Sequence, residues 1–274
     1  MNFTSSRRGF LRGGSLAAAA ACISPAIPAF AGAKSKEPQP SPIRLGVASY
    51  SLRKFHPDQV IADLKQLRTP YLNVKDIHLP MGTADDVKRE AATFRDAGIT
   101  LTAAGTIYFT KDDDADMRPK FEYVKAAGIP IIVAGPTRET LARVEKFARE
   151  YDVKIAIHNH GPEDKQFPSP LDSLKAVQNM DPRMGVCLDV GHAARAGANV
   201  VDAIAQCGPR LFDVHMSSDI ARRYASSGPS DFARSFSNAL FALVSIKNNF
   251  MTGCCFSPAL GSGRKPARIS AVWV

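Results

Sequence analysis

The 274-residue sequence predicts a parallel (β/α)8 barrel, incomplete or irregular after its seventh strand. Apolar, β-branched-rich runs recur at 43–50, 71–78, 100–108, 129–135, 153–160, 184–190 and 210–216, and their starts lie about 24–31 residues apart, one strand-helix unit each. Stretches of helical periodicity fall between them. Three successive late runs also end on side chains suited to metal or proton chemistry: Ile155-Ala-Ile-His158-Asn-His160, Cys187-Leu-Asp189-Val-Gly-His192 and Phe212-Asp-Val-His215. A parallel barrel assembles its active site from such strand ends.

Residues 1–33 read as a targeting segment rather than as fold. Ser6-Arg7-Arg8-Gly9-Phe10-Leu11 contains the pair Arg7 and Arg8, an Ala-rich apolar run follows, and Ala29-Phe30-Ala31 offers a small-x-small cleavage site, with Ala33 as a second option. This predicts passage through the twin-arginine translocation machinery and a periplasmic or secreted mature chain. Residues 34–42 form a Pro-rich linker.

The barrel domain then spans 43–216. Helices are expected at 57–67 (Val60, Ile61, Leu64, Leu67), 83–97 (Val87, Ala91, Phe94) and 139–151 (Leu141, Val144, Phe147, Ala148), with Gly98 and Gly128 as helix stops. Gly105 and the Ala103-Ala104 pair are expected to end strand three in tight packing. Tyr108, Phe109 and Lys111 to Asp114 read as a solvated loop and a helix start. After Met216 the alternation stops. Residues 217–274 are rich in Ser, Arg, Gly and Cys, their one long apolar patch is 237–246, and no acidic residue follows Asp231. Either this tail closes the barrel irregularly, or it is a frameshifted or disordered replacement for the eighth unit; the frameshift is the preferred expectation.

The formal charge of +9 is unevenly spread. Arg7, Arg8 and Arg12 put +3 into residues 1–31, and seven Lys/Arg against two Asp put +5 into 217–274, which leaves +1 for 32–216. No duplex-binding face follows from the charge of a body so close to neutral, and no nucleic-acid partner is expected. No run of 18 apolar residues exists, so no membrane span is expected after cleavage. Cys22, Cys187, Cys207, Cys254 and Cys255 show no framework spacing and read as free thiols.

From His158 to His215 the sequence resembles sugar phosphate isomerases and epimerases of the xylose-isomerase-like TIM-barrel superfamily. Ile155-Ala-Ile-His-Asn-His-Gly-Pro-Glu-Asp164, Cys187-Leu-Asp-Val-Gly-His192 and Asp213-Val-His215 carry the resemblance, which covers about 42–216. It implies one divalent metal ion (Mn, Mg, Co or Zn) held by a Glu, an Asp, a His and a Glu after strands five to eight. Asp189 matches the Asp and His215 the His. His192 matches a histidine that contacts substrate. His158 stands in place of the strand-five Glu, and the strand-eight Glu has no counterpart, so both of the family's proton-moving glutamates are missing. Related barrels often dimerise, which makes a homodimer the assembly the resemblance allows.

The residues themselves support the same chemistry. Five of the six histidines (His78, His158, His160, His192, His215) sit at strand ends or just beyond. Imidazoles with one carboxylate suit a borderline divalent ion, and His158, Asp189 and His215 are the expected ligands. His160 and Glu163 are candidates for moving a proton, with Asp164 beside them. His78, His192 and Lys75 are expected on the substrate side. Plainer readings stay open: Asp189 as a helix cap, His215 as a core histidine, Lys75 as a surface charge. The function expected is a metal-dependent isomerase or epimerase acting next to a carbonyl of a sugar or polyol. An inactive or carbohydrate-binding exported remnant is the first alternative, and a metal phosphodiesterase like the apurinic endonucleases is the second.

Overall fold

Each of the seven apolar runs forms a strand in the structure, a computed structural model that describes residues 44–216 and the backbone of 270–273. The strands are β1 (Arg44–Ala48), β2 (Tyr71–Val74), β3 (Thr100–Phe109), β4 (Ile131–Pro136), β5 (Lys154–His158), β6 (Met184–Asp189) and β7 (Leu211–Met216), joined by a short β8 (Ser270–Trp273). All neighbours are parallel, in the order β1 to β8, and the ring is closed. Buried on both faces, such strands need near-continuous apolar sequence, which is why they were visible as runs.

The helices are α1 (Pro57–Leu67), α2 (Ala84–Asp96), α3 (Asp114–Ala126), α4 (Leu141–Tyr151), α5 (Pro170–Val177), α6 (Val190–Arg195) and α7 (Val200–Cys207). Their starts are set locally. Pro57 opens α1 at a position where a missing N–H costs nothing. Thr83 and Asp113 cap α2 and α3 by accepting from Asp86 N–H and Ala115 N–H. Ser169 and Asp172 form a reciprocal capping box on α5. Gly98 and Gly128 follow α2 and α3 at φ 84° and 67°, as their stop signals predict.

The helices bury one face each against the outside of the ring, for instance Val87, Ala91 and Phe94 of α2 and Val144, Phe147 and Ala148 of α4. Phe109, Phe121, Phe147 and Tyr151 stack across β3, α3 and α4 with centroids 5.4–6.1 Å apart. A smaller cluster of Ala103, Ile131, Val133, Ala156, Cys187 and Phe212 is separate from this layer. Alternate strand residues share a face, so Ala156 and Cys187 lie under His158 and Asp189.

Three expectations need adjustment. Strand three does not end at Gly105; it runs on to Phe109. Gly105 is there because a Cβ would meet the Val133 carbonyl oxygen at 2.3 Å at a φ of 150°. Phe109 is fully buried and Tyr108 is a strand residue, so neither is solvated loop. The irregularity expected after strand seven is present, since β8 begins 59 residues after β7 does (Leu211 to Ser270). Yet β8 pairs with both β7 and β1 and covers the edges an open ring would leave. The segment with Arg7 and Arg8, the 34–42 linker, the 237–246 patch and the site of any frameshift lie outside the described residues.

Candidate metal and substrate site

Strand register brings the late strand ends together. His158 lies beside Cys187, and Asp189 lies beside His215. His158 Nε2 is 3.0 Å from His215 Nδ1 and 3.8 Å from Asp189 Oδ2, and all three side chains are buried. Two donors that share one cation at about 2.1 Å each stand no more than about 4.2 Å apart, so His158 is within range of sharing an ion with either neighbour. His160 and His192 complete a cluster of four imidazoles, with centroids 4.6 and 5.8 Å from that of His158. His158, Cys187 and His215 place three ligand atoms within 4.8 Å of one another.

A profile for the xylose isomerase-like TIM barrel matches residues 69–234, more than half of the chain. The chain belongs to the xylose isomerase-like TIM barrel family. Similar solved structures of this fold include an uncharacterized protein from Parabacteroides distasonis ATCC 8503 (23% identity, 64% of this chain and 75% of that chain, TM-score 0.52). D-psicose 3-epimerase determined in the presence of D-fructose is another (16% identity, 65% and 74%, TM-score 0.54). A third is the IolI protein with a bound zinc atom (18% identity, 63% and 72%, TM-score 0.51). At these identities the likeness speaks for the fold. No curated protein sequence matches the chain.

Within this family barrel, Asp189 takes the helix-cap role and also presents its second oxygen to the imidazole cluster. Its Oδ1 accepts the His192 N–H at 2.8 Å and caps α6, while Oδ2 faces His158. Asn159 points away from the imidazole cluster, as strand alternation requires, and ties β5 to β6: its Oδ1 accepts Asp189 N–H at 2.8 Å and its Nδ2 donates to the Asp189 carbonyl at 3.2 Å.

Burial, and then the neighbouring rings of His215, His160 and His192, hold the His158 pKa well below the ordinary imidazole value. Burial also lowers that of His160, partly offset by Asp164. On His215 burial acts the same way, but the Asp213 carboxylate and the Asp189 charge outweigh it and raise the pKa. Burial raises that of Asp213 in turn, against the pull of His215. A neutral His158 has a lone pair available for a cation, as a ligating imidazole must.

Which nitrogen of His215 carries hydrogen depends on its outer partners. Nε2 lies 3.0 Å from Asn73 Nδ2 and 3.4 Å from Asp213 Oδ2. Asn73 Oδ1 is buried without a hydrogen-bond partner, and Asp213 Oδ2 faces only His215 Nε2, so both acceptors are available to an Nε2–H. Turning the Asn73 amide over presents Oδ1 to Nε2–H and leaves the Nδ1 lone pair facing His158. That tautomer is the metal-binding one, held from behind as ligating histidines are. Donor spacing, neutral His158 and these available acceptors together fit a divalent ion.

His160 projects above His158. Its Nδ1 is 3.2 Å from Asp164 Oδ2, and its Nε2 is 3.4 Å from the Tyr108 hydroxyl, with the two rings stacked. Glu163 is largely exposed and accepts from Arg195 at 3.0 Å instead of entering the cluster. The same guanidinium nitrogen donates to the His160 carbonyl at 3.1 Å and meets His192 Nδ1 at 2.8 Å. The two hydrogens of this nitrogen are shared among three acceptors, and because arginine offers no acceptor of its own a neutral His192 ring turns its lone pair to it at Nδ1 and carries its hydrogen on Nε2.

The structure does not bring the early candidates to the cluster. His78 is buried, and its Nε2 is 3.1 Å from the Phe55 carbonyl oxygen, so it fastens the β1 to α1 connection rather than facing substrate. Lys75 donates to the Thr106 carbonyl at 2.8 Å and pairs with Asp76 at 3.4 Å. It lines a cleft of about 160 Å³ with Met81, Tyr108, Lys120 and Tyr123. Tyr108 is the shared wall, since it lines this cleft and stacks on His160.

Sequence reasoning missed Asn73, Asp213, Cys187, Arg195 and Tyr108. For the first two a signal existed: Tyr71-Leu-Asn-Val and Leu211-Phe-Asp-Val each place a polar residue inside an otherwise apolar parallel strand. Arg195 carried none, because one helical arginine resembles any other.

Proposed function

We propose that this barrel is a divalent-metal-dependent isomerase or epimerase that moves a proton next to the carbonyl of a small sugar or polyol derivative. The observation that carries the reading is the convergence of His158, Asp189 and His215 at the C-terminal rim of neighbouring strands. The family assignment and the sugar-epimerase structures sharing the fold support it. When bound, the ion polarises the substrate oxygens and acidifies the adjacent C–H.

This chain's own residues do the rest. His160 takes over from the missing glutamates. Asp164 holds Nδ1–H, which leaves the Nε2 lone pair of a neutral ring to accept the proton. His192 donates Nε2–H to a substrate oxygen, because Arg195 fixes its tautomer. The Tyr108 hydroxyl, 3.4 Å from His160 Nε2, is within reach to exchange that proton. The twin-arginine segment belongs to the same proposal: a folded, metal-loaded barrel is exported and works outside the cytoplasm.

The test is deuterium wash-in from D2O, followed by proton NMR. The mature protein is supplied with Mn²⁺, Co²⁺ or Zn²⁺ and a panel of ketoses, aldoses and their phosphates. Exchange at the carbon beside the carbonyl is expected, falling about 100-fold or more in His160→Gln. Saturable sugar binding without exchange would replace the enzyme by a carbohydrate-binding barrel.

A further inference from the structure

We infer that Cys187 is a further ligand to this metal, so that the barrel holds a thiophilic borderline ion such as Zn²⁺ through the imidazoles of His158 and His215 and a thiolate, with the Asp189 carboxylate beside His158. The inference rests on the metal reading above and adds the donor that decides which ion is bound. Cys187 is fully buried in β6, two residues below Asp189 on the same strand face. Its register partners are His158 on one side and Asp213 on the other. Its Sγ lies with the ligand nitrogens of His158 and His215 inside a 4.8 Å group. A shared ion with bonds of about 2.3 Å to sulfur and about 2.1 Å to nitrogen asks for only a small closing of that group.

Packing alone leaves part of this arrangement unexplained. A thiol serving only as a small apolar filler belongs among apolar neighbours. Ala156 and Phe212 supply some of that environment. On the same sheet, however, its register neighbours His158 and Asp213 are polar and buried. A cation held among the donor atoms of His158, Cys187 and His215 accounts for a thiol in these surroundings. Its charge is balanced by Asp189 and by the thiolate, whose proton leaves to solvent as the ion binds. Cys187 lies two residues deeper in β6 than Asp189, so it would hold the ion from inside the ring. Two nitrogens and one sulfur also reverse the preference of an oxygen-rich set: Zn²⁺ and Co²⁺ gain over Mn²⁺ and Mg²⁺.

The experiment is Co²⁺ reconstitution of the metal-free mature protein, read by absorption spectroscopy, in wild type and in Cys187→Ser, with circular dichroism to check folding. The result expected is one Co²⁺ per chain with a near-ultraviolet thiolate-to-cobalt charge-transfer band. Cys187→Ser should lose the band and weaken Zn²⁺ binding by more than the roughly 10–100-fold cost of losing an outer partner. Stoichiometric Co²⁺ in wild type with visible d–d bands alone overturns the inference and leaves the His158, Asp189 and His215 site standing. A charge-transfer band that persists in folded Cys187→Ser also overturns it, and assigns the band to another cysteine. Failure of wild type to bind Co²⁺ at all overturns both this inference and the metal reading beneath it.

Discussion

At the scale of single residues, the site is a set of imidazoles whose protons are assigned by their partners. Asn73 on β2 reaches across to His215, so its loss should loosen the ligand without touching the ion. Asn73→Leu is expected to keep the fold and to weaken Zn²⁺ binding about 10–100-fold, measured by chelator competition. The depressed pKa values of His158 and His160 make a second prediction. Below the ordinary value of 6.5 the unfolded chain protonates these rings and the folded chain does not. The stability they confer is therefore present above that pH and lost as pH falls toward the folded values. His215, with its raised pKa, works in the opposite sense. Metal-free wild type should lose more denaturant stability between about pH 7 and about pH 5 than His160→Gln does, because the variant lacks one depressed group. Equal slopes would contradict the assignment for His160.

At the scale of elements, short segments hold the chemistry in place. Asp189 is the N-cap of α6, so the helix cap and the carboxylate that faces His158 are one residue. The β5 to α5 loop makes room for Arg195 through Gly161, whose φ is +93° and whose missing Cβ would fall 2.3 Å from the guanidinium. Gly161→Ala should displace Arg195, free His192 Nδ1 and cost on the order of 1 kcal/mol or more in backbone strain. Thermal denaturation measures the cost, and ¹⁵N NMR of the His192 ring shows whether its tautomer becomes mixed. Ser169→Ala removes the capping box of α5 at a cost of about 1 kcal/mol and should leave the ring nitrogens unchanged, which makes it the matched control.

At the scale of the whole molecule, closure by β8 keeps β1 and β7 from being open edges. Deleting residues 270–274 should lower the thermal midpoint and promote association, seen by size-exclusion chromatography. Most of the barrel was legible because buried parallel strands must be apolar throughout, and the late strand ends because imidazole and carboxylate interrupt that pattern at Asp189 and His215. β8 was not legible: Ser-Ala-Val-Trp is too short to show a period, and its place is set by the open slot between two strands. Nor did spacing reveal that His78 and Lys75 turn to backbone carbonyls, since nearness to a strand end does not say where a long or planar side chain finds its partner. The central claim, that one ion is gripped by side chains from three neighbouring strands, is tested most directly by elemental analysis of the purified mature protein and of Asp189→Ala. About one divalent metal per chain in the wild type and little in the variant is the result predicted; equal content in both, or none in either, would contradict it.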